Sequence, residues 1–334
     1  MKDQKKRIHW GIIGLGKIAH KFVSDLKLVD NIVLEAVASR SEEKARDFAE
    51  KYNAVSWYGS YEALFQNKNV DIVYIATPHT YHKENTLLAL SHHTAVLCEK
   101  PFAINAVQAR KMIAAAQKNK TYLMEAMWSR FIPVIQQVKA MIDNGEIGEI
   151  SYIQADFAFR APMTIQRVHD MKLGGGSLLD IGIYPVFLSY LLLGMPDDIM
   201  AKAHFFESGA DSQLSMILHY KNAQAVLHSS FLSHSKRLAK ISGTLGEIII
   251  EAPWNESDGF TLHKSGKTIA IEDKTRGRGY TYQIESSNDC LRNNELENQL
   301  WTHQNSLELM LLLDRIRGVI GLHYDEDQEN DEDV

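Results

Sequence analysis

Gly14-Leu15-Gly16-Lys17-Ile18-Ala19 fits the spacing G-x-G-x-x-A, and its flanks decide what that spacing means. Residues 8–13 before it form a short apolar run that reads as a buried strand, and residues 17–28 after it carry a helical pattern. Small residues at such a strand-to-helix turn let the backbone approach a pyrophosphate. The helix N-terminus, with its unpaired N–H groups and dipole, favours that anion. Gly14, Gly16, Lys17, Ile18 and Ala19 are therefore the first candidate cofactor contacts.

Downstream, the same alternation repeats. Strands are expected at residues 32–38, 71–76, 94–98 and 122–127, with helices at 42–51, 81–91 and 106–119 and a short one capped by Ser60. Repeated βα units imply an α/β, doubly wound parallel Rossmann sheet over residues 1–127. After Trp128 the pattern changes. Helices are expected at 132–143, 177–193 and 304–317, the second apolar nearly all round and so buried. Strand-like runs at 150–159, 199–206, 214–220, 223–231, 239–242 and 247–252 suggest a mostly antiparallel sheet. A second, α+β domain over 128–320 follows, bearing substrate and dimer contacts. Residues 321–334 complete the chain as an acidic tail.

Composition narrows the function classes. A chain of 334 residues with 45% hydrophobic and 23% charged residues is an ordinary soluble protein that needs no disulfide or metal staple. Cys98 and Cys290 lack metal-type spacing, which points to a reducing compartment, taken as the cytoplasm. Met1 to Trp10 is basic but lacks the apolar core of a signal peptide. The apolar stretch 178–195 carries Asp180 and Pro185 inside it, so a membrane span is rejected. Net charge is −6, yet the last ten residues hold seven acids and no base, leaving the rest near +1. Such a tail is expected to be solvated and disordered. No basic stripe supports nucleic-acid binding. The 14 histidines include no HExxH, and no metal site is expected. Neither a Gly-x-Ser-x-Gly elbow nor a paired-cysteine redox centre is present.

The second strand bears on the cofactor. An NAD site usually places a carboxylate at that strand's tip, for the ribose 2′-OH. Here the tip reads Ala38-Ser39-Arg40-Ser41, and Glu35 falls too early, inside the strand. An arginine can hold a 2′-phosphate through a charge-assisted, bidentate contact, so Ser39 and Arg40 point to NADP over NAD.

Further motifs sit at strand ends and at one helix start. They are Ala76-Thr77-Pro78-His79 with His82, Glu99-Lys100-Pro101, and Leu173-Gly174-Gly175-Gly176-Ser177-Leu178-Leu179-Asp180-Ile181-Gly182-Ile183-Tyr184-Pro185. Asp180 and Tyr184, four apart, share a helix face, and an acid in an apolar helix must be paired or functional. Pro185 cannot donate to the carbonyl of Ile181, so a kink or a freed acceptor is expected there.

With the glycine loop, these motifs resemble the Gfo/Idh/MocA oxidoreductase family. Met124-Glu125-Ala126-Met127-Trp128-Ser129-Arg130-Phe131, Pro253-Trp254 and Leu300-Trp301-Thr302-His303 resemble its branch of dimeric dihydrodiol dehydrogenase and NADP-linked D-xylose 1-dehydrogenase. Two positions depart from the pattern: His169-Asp170 stands where an aromatic-Asp-Pro sequence is expected, and Gln283 where an acid is usual. The resemblance implies a Rossmann domain, an open-faced sheet domain that often dimerises through the sheet, and hydride transfer between nicotinamide and a carbinol carbon. D-xylose-type aldopyranoses and trans-dihydrodiols or other cyclic polyols are the expected substrates.

On that footing Tyr184 is the expected acid/base, Lys100 favours its ionised form and holds the substrate oxygen, and Asp180 orients the pair. Thr77, Pro78, His79, His82, Glu99 and Lys100 are expected beside the cofactor. Trp128, Arg130, Phe157, Trp254 and Tyr280, with Phe159 and Arg160, are expected around the substrate. A catalytically silent NAD(P) sensor on the same fold is the alternative, against which Lys100 and Tyr184 weigh. NAD-dependent glycoside hydrolysis would need a longer glycan cleft.

Overall fold

The computed structural model describes residues 6–329, which divide into two compact units. One contains the described residues through 128 with Arg276–Leu307 and Glu329; the other contains Ser129–Thr275 and Glu308–Gln328.

The first unit runs β1 (Ile8–Ile13), α1 (Lys17–Leu26), β2 (Ile32–Ala38), α2 (Glu42–Tyr52), β3 (Ser56–Tyr58), α3 (Tyr61–Phe65), β4 (Ile72–Ile75), α4 (His82–Ser91), β5 (Ala95–Glu99), α5 (Ala106–Asn119) and β6 (Leu123–Ala126). Its six strands are all parallel in the order β3-β2-β1-β4-β5-β6, the doubly wound arrangement expected of the alternating pattern. Strand order reverses between β1 and β4, so the ends of these two strands are neighbours. Side-chain caps fix three helix starts: Ser41, Ser60 and Asn105 accept the N–H groups of Lys44, Ala63 and Gln108. β3 was not foreseen, being three residues long at the sheet edge with Trp57 43% exposed.

The second unit begins with α6 (Pro133–Asp143), where Pro133 opens the helix at a position that needs no N–H donor. β7 (Ile150–Ala158) follows, and a π-helical turn (Leu178–Gly182) then leads into α7 (Ile183–Leu193). The strands β8 (Asp198–Phe205), β9 (Asp211–Tyr220), β10 (Ala223–Ser230), β11 (Ala239–Gly243), β12 (Gly246–Ile250), β13 (Gly259–Lys264) and β14 (Lys267–Glu272) complete it. They form one sheet, β14-β13-β12-β11-β7-β10-β9-β8, in which only the β7–β10 pair is parallel. β13 and β14 were both missing from the expected strands, and β14 is exposed over nearly its whole length.

One face of this sheet carries the buried row Met216, Leu227, Ala155, Ala239, Ile250 and Phe260, and α7 packs over β7 and β10. The apolar helix is buried as its composition demands. The stretch 171–193 is long and apolar enough to cross a membrane, yet 83% of its most apolar 18-residue window is buried inside the protein, as in a core helix.

The chain then returns to the first unit as α8 (Tyr280–Arg292), a helix absent from the expected elements, before α9 (His303–Ile320). Segment 276–307 therefore groups with the Rossmann sheet, whereas the sequence placed it in the second domain. The reason is polar anchoring. Buried Asp25 accepts the N–H groups of Arg278 and Tyr280 at 3.0 and 2.9 Å, and Trp10 Nε1 donates to Asn288 Oδ1 at 3.0 Å. Trp301 Nε1 likewise donates to Glu125 Oε2 at 2.9 Å.

Glu125 also accepts the Phe102 N–H, and burial pushes its carboxyl from 4.5 up to about 7. The folded chain thus keeps this proton longer than the unfolded chain does. Its stability contribution falls as pH rises from about 4.5 through 7, a swing of roughly 3 kcal/mol at most. Glu125→Gln should therefore gain melting temperature relative to wild type on going from pH 5.5 to pH 8. Parallel melting curves at both pH values would refute this.

The expected tail needs correction. Within the described residues up to 329, Tyr324 is buried, and Asp327 pairs with buried Arg317 at 2.7 Å. In the first unit, Glu329 bonds Gln108 Nε2 at 2.8 Å and pairs with Lys83 and Lys111. A buried guanidinium requires carboxylates, and these acids supply them. Residues 330–334 lie outside the described residues.

Candidate active site

The cofactor candidates gather where β1 and β4 end. Gly14 has φ +79°, and a Cβ there would stand 2.5 Å from both the Ala76 carbonyl carbon and the Thr77 nitrogen, so only glycine fits. Gly16 is exposed with nothing within 4 Å, and the α1 N-terminus has no side-chain cap, unlike those of α2, α3 and α5. Lys17 is exposed, Ile18 half-buried, and Ala19 wholly buried against the sheet. Open N–H groups at a glycine turn suit a pyrophosphate, so the loop fits a dinucleotide.

At the tip of β2, exposed Arg40 holds its guanidinium 5.7 Å from the centroid of the Tyr81 ring. Ser39 Oγ accepts the Ser41 N–H at 3.3 Å. Glu35 lies within the strand, where its carboxylate meets His9 Nδ1 at 2.9 Å. The strand tip is thus cationic.

Two of the expected cofactor neighbours prove to be scaffold. His82 is fully buried, with its ring nitrogens 2.8 Å from the Pro101 carbonyl and 3.0 Å from that of Thr77. It ties the loop after β4 to the loop after β5. Burial pushes its pKa down to about 4, while the two carbonyls pull the other way. Glu99 is also buried; it accepts from the Tyr74 hydroxyl and from the Lys100 N–H at 3.2 Å. His79 and Pro78 stay partly exposed beside them, and Lys100 is half-buried. Trp128 and Tyr280 pack together in this unit with ring centroids 5.0 Å apart, both buried. A cavity of about 650 Å³ lies elsewhere in the unit, lined by Glu35, Tyr58 and Asn67 among others, and contains none of the predicted residues.

In the second unit the residues cluster on the start of α7. The Ile183 N–H reaches back to the Leu178 carbonyl, which is the π-turn geometry, and also to the Ile181 carbonyl that Pro185 cannot serve. The turn places Asp180 and Tyr184 against the sheet's inner face. Asp180 pairs with Arg167 Nη1 at 2.6 Å, and the Tyr184 ring packs on Phe157 with centroids 5.4 Å apart. Phe159 follows at 6.3 Å from Phe157, and Arg237 covers that ring from 5.0 Å. Gly182 packs closely here, since a Cβ would stand 2.8 Å from Ser229 Oγ. Trp254 departs from expectation: it is fully buried and donates to the Asp156 carbonyl at 2.9 Å, which makes it core. Arg130 is largely buried, so desolvation lowers its pKa, while Arg160 is exposed.

Comparison with known proteins agrees with both halves. Residues 8–127 match the family model described as an oxidoreductase family with an NAD-binding Rossmann fold, and residues 135–249 match the Gfo/Idh/MocA C-terminal domain. The trans-1,2-dihydrobenzene-1,2-diol dehydrogenase of Xenopus tropicalis is 34% identical over 330 residues, covering 94% of this chain and 98% of its own. The chain belongs to the Gfo/Idh/MocA oxidoreductase family.

A scyllo-inositol 2-dehydrogenase (NADP(+)) of Bacillus subtilis is 33% identical over 331 residues, covering 96% of this chain and 99% of its own. Among solved structures, a 3-ketoreductase from Actinomadura kijaniata shares the fold with TM-score 0.85 at 24% identity, covering 94% of this chain and 98% of the other. As a family member the protein is an oxidoreductase with an NAD(P)-binding Rossmann domain. Against the family pattern, His169 bonds the Met163 carbonyl at 3.1 Å. Gln283 is buried, with neither amide atom hydrogen-bonded among the described residues. Arg167 and Arg237 were not singled out from sequence. An isolated arginine in a loop gives no periodic signal, and only the fold shows what it faces.

Proposed function

We propose that this protein is an NADP-dependent dehydrogenase acting on a carbinol carbon of a sugar or cyclic polyol, with D-xylose-type aldopyranoses and trans-dihydrodiols as leading substrates. One observation carries the reading: a buried tyrosine at the start of α7, packed on Phe157, one turn after an aspartate that is paired to Arg167. A buried acid costs stability unless it is paired, and the Arg167 guanidinium keeps Asp180 ionised beside Tyr184's turn of helix. NADP, when bound, supplies the hydride acceptor. Tyr184 takes the proton at its phenol oxygen, Lys100 steadies the substrate oxygen, and Asp180 orients the donors around it. The glycine loop binds the pyrophosphate, and Arg40 with Ser39 binds the 2′-phosphate. Phe157, packed against Tyr184, forms a wall of the substrate pocket.

The test is turnover. Purified protein with NADP is screened against pentoses, hexoses, inositols and dihydrodiols, following absorbance of the reduced nicotinamide. No turnover on any of them, with tight NADP binding, would favour a sensor instead.

The protein is also proposed to act as a homodimer or larger assembly in the cytoplasm, where its buried, free Cys98 and Cys290 would stay reduced. The outward face of the second sheet carries the row Met200, Ile217, Val226, Gln154, Lys240 and Ile249, half of it partly exposed aliphatic groups, with Met200 at 56%. An antiparallel sheet with such a face gains from a partner. Light scattering should return at least twice the 37.8 kDa chain mass, and a monomer at all concentrations would remove the claim.

A further inference from the structure

The helix that carries Asp180 and Tyr184 has no capping side chain of its own at its start. Its cap comes from a strand. Asp211, at the head of β9, is wholly buried, and its Oδ2 accepts the Leu178 N–H at 2.7 Å. Burial pushes its carboxyl up to about 7, the mark of an oxygen kept from water.

The glycine loop before the helix is held from the other side by the chain's C-terminal segment. Tyr324, itself buried, donates its hydroxyl to the Gly175 carbonyl at 2.8 Å. Gly176 has φ +137°, and a Cβ there would stand 2.3 Å from Asp211 Oδ1 and 3.1 Å from the Tyr324 hydroxyl, so loop, cap and strap are in contact. Tyr324 is fixed in turn. Arg317 lies 5.3 Å from its ring and bonds both oxygens of Asp327 at 2.7 and 2.9 Å, while Asp327 accepts the Tyr324 N–H at 2.9 Å.

We propose that Tyr324 and Asp211 are positioning residues for the reaction: a strap of residues 324–327, locked by Arg317, and the Asp211 cap together fix the turn that presents Asp180 and Tyr184. The proposal rests on the roles given to those two residues above. Reacting groups must be held within a fraction of an ångström, and supporting contacts set that precision. Arg317 and Asp327 hold the strap to α9, and Tyr324 passes that constraint to the loop. Residues 324–327 are therefore part of the active-site support.

The test compares Tyr324→Phe, Asp211→Ala and Asp211→Asn in the full chain with NADP. D-xylose, scyllo-inositol and trans-1,2-dihydrobenzene-1,2-diol serve as probes, alongside amide exchange over residues 178–184. Tyr324→Phe, which removes one hydroxyl, should lower kcat about tenfold while substrate KM moves less than about threefold. It should also speed exchange at Leu178. Asp211→Asn keeps an acceptor for that N–H and should restore most of the rate that Asp211→Ala loses. NADP affinity should stay within about twofold throughout, since the Gly14–Gly16 loop belongs to the other unit and is untouched. Wild-type kcat and wild-type exchange in Tyr324→Phe would overturn the proposal, as would an Asp211→Asn no better than Asp211→Ala. If Asp211→Ala fails to fold, Tyr324→Phe and Asp211→Asn carry the comparison. Faster exchange in Tyr324→Phe, in a protein whose wild type turns over none of the probes, would support the strap and defeat the assigned activity.

Discussion

Replacing Tyr184 with phenylalanine should lower kcat at least about 100-fold, and Lys100→Ala should do the same. Oxidising an alcohol releases a hydride and a proton, and the proton needs an acceptor beside the reacting oxygen. The phenylalanine keeps the ring that packs on Phe157 at 5.4 Å, so fold and pocket shape survive while the acceptor is lost. Affinity for NADP should barely move in Tyr184→Phe, because that residue belongs to the second unit and the glycine loop to the first. The two residues are assigned to one proton transfer, so the double variant should lose far less than the product of the single losses. Near-normal turnover of Tyr184→Phe across pH 6–10 would send the proton elsewhere. His169, or a water held by Asp180, would then be the group to test.

What the sequence disclosed follows the range of its signals. The glycine loop was readable because strand, turn and helix lie within twelve residues of one another, and β1, β2 and α5 begin and end where the apolar pattern does. Tyr184 and Asp180 were singled out by their four-residue spacing, and the structure sets them in separate surroundings, Asp180 on Arg167 in the π-turn and Tyr184 on Phe157 in α7. By contrast, α8 buries Gln283, Ser287 and Asn288 along with its few apolar groups, so its inward face does not look hydrophobic. Its place depends on Asp25, some 250 residues earlier, and no local rule reaches that far. Trp254 and His82 were assigned to the site from the motifs in which they stand. Burial shows that each spends its polar atoms on backbone carbonyls. Asp211 caps a helix 33 residues before it, and Tyr324 reaches a carbonyl 149 residues before it, so neither contact leaves a trace in either stretch of sequence.

Arg40→Asp should erase or invert the cofactor preference, costing NADP about tenfold to a hundredfold in affinity. The β2 tip has no carboxylate to accept from a ribose 2′-OH. Glu35 stays inside the strand, bound to His9, and the first charged side chain past the strand end is Arg40. That guanidinium is exposed and lies over the Tyr81 ring, which limits its rotamers without neutralising its charge. A charge-assisted bond to a phosphate dianion contributes roughly 1.5–3 kcal/mol, which is the source of the expected range. An aspartate there would repel the 2′-phosphate and accept from the free 2′-OH of NAD, so the two affinities should move in opposite directions. Salt separates charge from shape. Raising ionic strength should weaken NADP binding in wild type more than NAD binding, and that difference should vanish in Arg40→Asp. The measurement is a fluorescence titration of both dinucleotides at two salt concentrations. If the wild-type protein binds NAD as tightly as NADP, Arg40 is a solvated surface charge and the strand tip does not select the cofactor.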